Sequence, residues 1–213
     1  MTRASTAIRN AFIFYVMALA LAIFVRLLVP WIGEASLPLT MLTPALAVVF
    51  MMAAVAREGG WRSALSTLGL TTAGWKAWPF AIIAPLLIHG VGIAVLVGFG
   101  LTAFVPPSAQ GPVFFAVADA LIGFAVGSAF AMGEEVGWRG YMLPRLLSLG
   151  PVAAMLIVGL LQGIWHMPLL LTTELYHSTG NPWIVAPMFL LTLTLAGIFF
   201  GFLRLWSGSV WPA

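Results

Sequence analysis

Six apolar runs, each about as long as a bilayer crossing, constrain this chain more than any other feature of its sequence. A transmembrane helix needs roughly 20 predominantly apolar residues, and the runs fall at about 10–30, 38–56, 78–104, 113–133, 152–172 and 183–203. Hydrophobic residues make up 62% of the 213 and charged residues 7%; no soluble domain of this length has an interior large enough to hide that much apolar surface. The expected fold is all-α: a polytopic transmembrane helical bundle in contact with the lipid bilayer, with one membrane domain over 1–213 and six complete spans. The closing stretch Trp206-Ser-Gly-Ser-Val-Trp-Pro-Ala213 reads as the start of a seventh span, with a turn, an interfacial Trp and a Pro at a first-turn position. The first run has no small-residue cleavage site after it and is read as a retained helix. No internal repeat or low-complexity tract is present.

The connections give an orientation. Residues 77–118 carry no charge, and Pro106 to Pro112 supply the turn that divides them. Residues 57–76 form the longest hydrophilic connection, with Trp61, Trp75 and Trp78 suited to the interfacial belt. Arg3 and Arg9 precede the first span, Arg57, Arg62 and Lys76 follow the second, Arg139 and Arg145 follow the fourth, and Arg204 follows the sixth. The connections near 31–37, 105–112 and 173–182 have no Lys or Arg, so the positive-inside rule puts the N-terminus in the cytoplasm. Arg26, near the outer end of the first span, is expected to snorkel to the interface. Basic residues spread in this way serve orientation, and no nucleic-acid partner is expected. Zero cysteines exclude disulfides, thiolate metal sites and a cysteine nucleophile.

The chemistry-bearing residues are few. Gly133-Glu-Glu-Val-Gly-Trp-Arg-Gly140 sets two adjacent carboxylates beside hydrocarbon-length segments, where ionisable groups usually mark a substrate or proton site. If the helix continues through 134–148, Glu135 and Arg139 share a face at i and i+4 and pair. Glu134, rotated by about 100°, has no basic residue on its own stripe and is left free to act as a general base. The plainer reading is a solvated charge cluster anchoring a helix end. Glycines at 133, 137 and 140 favour close packing around the carboxylates. His166 lies in the fifth span with Gln162 one turn before it on the same face, and such a stripe must face the bundle interior or a cavity. The plainer reading of His166 is a helix–helix hydrogen-bond partner. Consecutive fourth and fifth spans pack side by side by default, so a glutamate facing a neutral histidine can bind and activate a water. His89 reads as structural, His177 and Glu174 as solvated loop residues, and Asp119 as a first-turn acid. No Walker A loop, dinucleotide fingerprint, His-Glu-x-x-His motif or Gly-x-Ser-x-Gly elbow occurs.

Gly133 to Pro144, followed by Trp165-His166-Met-Pro168, resembles the first two motifs of the CPBP family. These are the CAAX-prenyl-protease-like and bacteriocin-processing membrane proteins, also called Abi proteins. Glu-Glu-x-x-x-Arg is met by Glu134, Glu135 and Arg139. Phe-x-x-x-His is met at His166, with Gln162 where Phe is usual. The likeness covers about 113–213. Ser207 to Ala213 is similar to the approach to the family's last motif, whose His is absent, so the protease core is expected to be C-terminally incomplete. That reads as a longer protein cut short, with weak activity for this chain as it stands, since one oxyanion donor typically contributes about 10²–10³ in rate.

The resemblance implies an intramembrane endopeptidase acting on a peptide or protein substrate near the cytoplasmic face. Peptide maturation or bacteriocin self-immunity in a bacterial inner membrane is the implied setting. Glu134 would be the general base, His166 would hold and polarise the water, and Glu135–Arg139 would be the structural pair. The family's classification as metalloproteases implies zinc, held if at all by Glu134 and His166. Catalytic zinc normally takes three protein ligands, which favours no tightly bound metal here. Two other readings stay open: a non-catalytic membrane scaffold or immunity protein, and a transporter using Glu134 and His166 as a proton relay. No paired broken helices or inverted repeat support the transporter.

Overall fold

A computed structural model describes residues 2–55, 61–103, 113–174 and 181–213, Trp61 by its backbone alone. Each apolar run meets its backbone hydrogen-bonding demand internally by forming helix, which hydrocarbon requires. The elements are α1 (Arg3–Ile32), α2 (Glu34–Val55), the short α3 (Trp61–Thr67), α4 (Trp75–Gly98), α5 (Val113–Leu149), α6 (Pro151–Thr172) and α7 (Pro182–Ser207). All but α3 are long and apolar enough to cross a membrane, and the described residues contain no strand. The protein is an all-α polytopic bundle, as its hydropathy predicts.

The spans are not uniform rods. Thr2 caps α1, its Oγ1 accepting from the Ser5 N–H at 3.2 Å. Helix α2 opens as a 3₁₀ segment over Glu34–Leu42, becomes α-helical over Thr43–Phe50 and widens to a π turn over Met51–Val55. Helix α5 runs as α-helix to Glu135, widens to a π segment over Val136–Met142 and tightens again through Leu149. Thus 134–148 does continue the fourth span. The 57–76 connection, expected to be only a hydrophilic link, contains α3.

Protein-on-protein packing is concentrated among α1, α2, the motif-bearing part of α5 and α6. Ala11, Phe14, Ala18 and Ala22 form a buried stripe of α1, spaced so that one helical face points inward. Against it pack Ala47, Val48 and Met51 of α2, the Trp138–Leu146 turns of α5, and Ala154, Val158 and Trp165 of α6. The indole N–H of Trp165 donates to the Ala18 carbonyl at 3.2 Å, tying α6 to α1. By contrast α4 has no buried residue from Trp78 onward, and α5 has none among its α-helical residues before Gly133. Lipid tails solvate such faces as well as a neighbouring leucine would, so they need no protein partner. Helices α5 and α6 therefore meet at the motif-bearing end of α5, rather than packing side by side from end to end.

Helices α6 and α7 approach backbone to backbone. A Cβ on Gly197 would stand 2.6 Å from the Gly159 Cα, so only glycine allows this crossing. Arg26 places its guanidinium on the end of α6: Nε donates to the Thr172 hydroxyl at 2.8 Å and Nη2 to the Thr172 carbonyl at 3.0 Å.

After Ser207 the chain turns back. Gly208, at φ 73°, stops α7 with its N–H on the Arg204 carbonyl. Residues 209–211 then bond to the 69–72 turn: Val210 N–H to the Gly69 carbonyl at 3.2 Å, and Trp211 Nε1–H to the Leu70 carbonyl at 3.2 Å. Residues 208–213 thus form a packed turn after α7, and the turn is the feature expected of this stretch.

Candidate active site

The Glu-Glu motif sits where α5 changes from α to π geometry, a change often found at functional sites. Glycines set its surroundings. A Cβ on Gly133 would lie 2.8 Å from the Met41 carbonyl oxygen, and one on Gly140 would lie 3.0 Å from that of Leu68. A Cβ on Gly137 would collide with the Pro44 ring. The motif helix is therefore pressed directly onto the backbone of α2 and of the 68–70 turn. Both glutamates are buried by that approach, Glu134 at 6% exposure and Glu135 at 7%. These values overturn the alternative of a solvated anchoring cluster.

The two carboxylates have different partners and face different cavities. Glu135 Oε1 accepts from Arg139 Nη1 at 2.6 Å, the pairing expected from their i, i+4 spacing. Arg139 is fully buried, and its guanidinium carbon lies 4.9 Å from the centre of the Phe200 ring of α7. Glu135 lines a cavity of about 830 Å³ bounded by α4, the exposed part of α5 and residues 211–213. Glu134 points the other way, into a separate cavity of about 280 Å³ between the 3₁₀ start of α2 and the C-terminal half of α6.

In that smaller cavity Glu134 meets α6. Its Oε2 accepts from Gln162 Nε2 at 2.8 Å, and its Oε1 lies 4.0 Å from His166 Nε2. His166 Nδ1 is 2.9 Å from the Gln162 carbonyl oxygen. A carbonyl only accepts, so Nδ1 carries the proton and a neutral His166 turns the lone pair of Nε2 toward Glu134. Trp165 and Phe189 hold the imidazole, with ring centres 4.6 and 5.4 Å from its own. Leu37, Pro38, Thr40, Met41, Trp165 and Leu169 complete the lining. A separation of 4.0 Å is too long for a direct hydrogen bond and suits a bridging water.

The structure buries all four expected site residues, Glu134, Glu135, Arg139 and His166, pairing Glu135 with Arg139 and setting Glu134 opposite His166. Gln162 stood out in the sequence only as a polar neighbour of His166 on the same helical face; its amide is in fact bonded to Glu134. Thr40 carried no sequence signal, since its place in the cavity comes from the fold of α2 against α6. His89 lies exposed on α4 with Nδ1 2.8 Å from the Pro85 carbonyl oxygen, Asp119 is exposed on α5, and neither joins the site. Glu174 is exposed beyond the end of α6, while His177 and the Pro106 to Pro112 turn lie outside the described residues.

A metal fits this donor set poorly. Among the described residues no group of three or more His, Cys, Asp or Glu side chains comes together. Glu134 and His166 supply two ligands, and Glu135 is held by Arg139, whereas catalytic zinc takes three protein ligands.

No curated protein and no solved structure matches the chain at a significant level. Residues 112–213, which contain the Glu-Glu-x-x-x-Arg motif, Gln162, His166 and the whole of α6 and α7, match the family model described as type II CAAX prenyl endopeptidase, Rce1-like. That match agrees with the resemblance carried by Glu134, Glu135, Arg139 and His166, and covers the same half of the sequence.

Proposed function

We propose that this protein is an intramembrane endopeptidase in which Glu134 activates water for attack on a peptide bond. The observation that carries the reading is the facing pair in the smaller cavity, a buried Glu134 carboxylate and the acceptor nitrogen of His166, 4.0 Å apart. A water between them donates one hydrogen to each, which leaves an oxygen lone pair directed at the cavity. The water oxygen attacks the carbonyl carbon and its proton passes to Glu134. The C=O π pair moves to the carbonyl oxygen, which becomes the oxyanion. Collapse re-forms the C=O bond and breaks the C–N bond, and Glu134 returns its proton to the departing amine. Gln162 holds Glu134 in place through its bond to Oε2, and the Glu135–Arg139 pair fixes the helix that carries both carboxylates.

The distribution of basic residues supports a cytoplasmic N-terminus. Peptide maturation or bacteriocin self-immunity in a bacterial inner membrane is the setting we propose. The test is cleavage of a peptide library by the purified protein in proteoliposomes, read by mass spectrometry, with Glu134→Gln alongside. Loss of product in the variant with unchanged thermal unfolding is the expected result. A phenotype spared by Glu134→Gln, with no cleavage by either protein, would favour a non-catalytic scaffold instead.

A further inference from the structure

A further cavity, of about 280 Å³, shares no lining residue with those that hold the two glutamates. It lies between the first turns of α1, the end of α3 and the 144–145 part of α5, and its polar lining is Arg3, Thr6, Asn10, Thr67 and Arg145. No acidic side chain lines it, so two guanidiniums face it without a carboxylate in its wall. Arg145 is fixed there: Nη1 donates to the Tyr141 carbonyl at 2.8 Å, and its guanidinium carbon lies 3.4 Å from the centre of the Tyr141 ring. A third cation stands behind Thr67, whose carbonyl accepts from Arg204 Nη2 at 3.2 Å.

The most telling residue is Asn10. It is 6% exposed, and its Oδ1 accepts from Arg9 Nη2 at 3.4 Å. Arginine only donates, which assigns the oxygen and leaves the amide nitrogen as the other atom. That nitrogen has no hydrogen-bond partner among the described residues, yet it is not sealed off from the cavity. A largely buried amide donor without an acceptor is uncommon. The Thr6 and Thr67 hydroxyls already donate to the Thr2 and Ser63 carbonyls. The cavity therefore calls for an acceptor that carries negative charge. Its height in the bilayer says where that acceptor comes from. Asn10 opens the first apolar run, so the cavity lies where α1 enters hydrocarbon, at headgroup level. All but Arg26 of the nine Lys and Arg fall on this side by the sequence, against Glu58 and the two buried motif glutamates. Basic pockets between transmembrane helices on the cytoplasmic side suit anionic lipid headgroups. We infer that this cavity binds the phosphate of an anionic phospholipid, with Asn10 Nδ2 donating a hydrogen bond to it and Arg3 and Arg145 supplying the counter-charge. The site is independent of the peptidase reading.

The experiment titrates delipidated protein in detergent with phosphatidylglycerol or phosphatidylcholine and counts bound lipid by native mass spectrometry. Wild type should retain one phosphatidylglycerol about tenfold or more tightly than phosphatidylcholine, because each nearby Arg contributes about fivefold. Arg3→Gln should weaken that binding about fivefold and Asn10→Ala about tenfold or more. Asn10→Asp, of the same shape but like charge to the phosphate, should abolish it. Arg62→Gln, exposed on α3 outside the cavity, should change it less than about twofold, since distant exposed charges are screened. Arg3 is itself exposed, so Arg3→Gln keeps the test decisive if an Asn10 variant fails to fold. Equal retention of the two lipids would overturn the inference, and so would an Arg62→Gln loss as large as that of Arg3→Gln. Excess glycerol phosphate should leave the bound lipid in place. Its displacement would show a site for phosphate taken from solution and overturn the lipid as its source.

Discussion

Replacing Arg139 by Met is the most informative stability experiment on this protein. The change preserves much of the side-chain volume but strands Glu135, whose Oε1 bonds to Arg139 at 2.6 Å and whose Oε2 has no partner among the described residues. The two side chains are 1% and 10% exposed, so water cannot take over the lost bond. Removing one partner of a buried pair typically costs about 3–5 kcal/mol, because the remaining charge is left uncompensated. Glu135→Gln should cost a similar amount by leaving the Arg139 guanidinium buried against Phe200 with no counter-charge. The double variant, Glu135→Gln with Arg139→Met, removes both charges and should lose no more than about 1–2 kcal/mol, since replacing a buried pair by groups of similar volume is often nearly neutral. Unfolding of the four proteins in one detergent, followed by circular dichroism against denaturant, closes the cycle. A coupling energy of several kcal/mol is expected. Single losses that simply add in the double variant would refute the idea that each charge is held in place only by the other.

Three further outcomes follow from the same geometry. Gln162→Leu removes the donor that holds Glu134 Oε2 at 2.8 Å; a hydrogen bond to a charged group is worth about 1.5–3 kcal/mol, so kcat/KM should fall roughly 10–100-fold while folding persists. His166→Phe keeps a ring between Trp165 and Phe189 but removes the nitrogen that faces Glu134; steady-state cleavage should fall at least about 10²-fold at unchanged thermal stability, the scale expected for a positioned proton-handling group. Gly197→Ala forces a methyl to within 2.6 Å of the Gly159 Cα, and overpacking of this kind costs about 1–3 kcal/mol; a lowered unfolding midpoint is the check.

Parts of the site were legible because they are local. Glu135 and Arg139 are four residues apart on one element, so helical spacing alone pairs them, and the structure finds them at 2.6 Å. Gln162 and His166 share a face for the same reason. The Glu134–Gln162 bond spans 28 residues and depends on how α5 meets α6, which no periodicity states. Thr40 is further still: it is one hydroxyl in a 3₁₀ segment that the sequence offers only as the start of an apolar run. The turn expected within 206–213 was legible, but its docking was not: Gly208 at φ 73° and the bonds from 209–211 to 69–72 depend on a connection more than a hundred residues away.

What the sequence determined by itself was the solvent and therefore the class. Runs of hydrocarbon length with 7% charge leave lipid as the only medium that can cover them, and helix as the form that satisfies their backbone there. It also determined which ionisable residues had to be accounted for, since so few lie near apolar runs. Tertiary structure decided which of them face each other. Glycines 133, 137 and 140 bring α5 onto α2, and the π segment begins directly after the two glutamates, which end up in separate cavities. Those outcomes depend on side-chain volumes from helices distant in the chain, and such packing has no signature in any one segment.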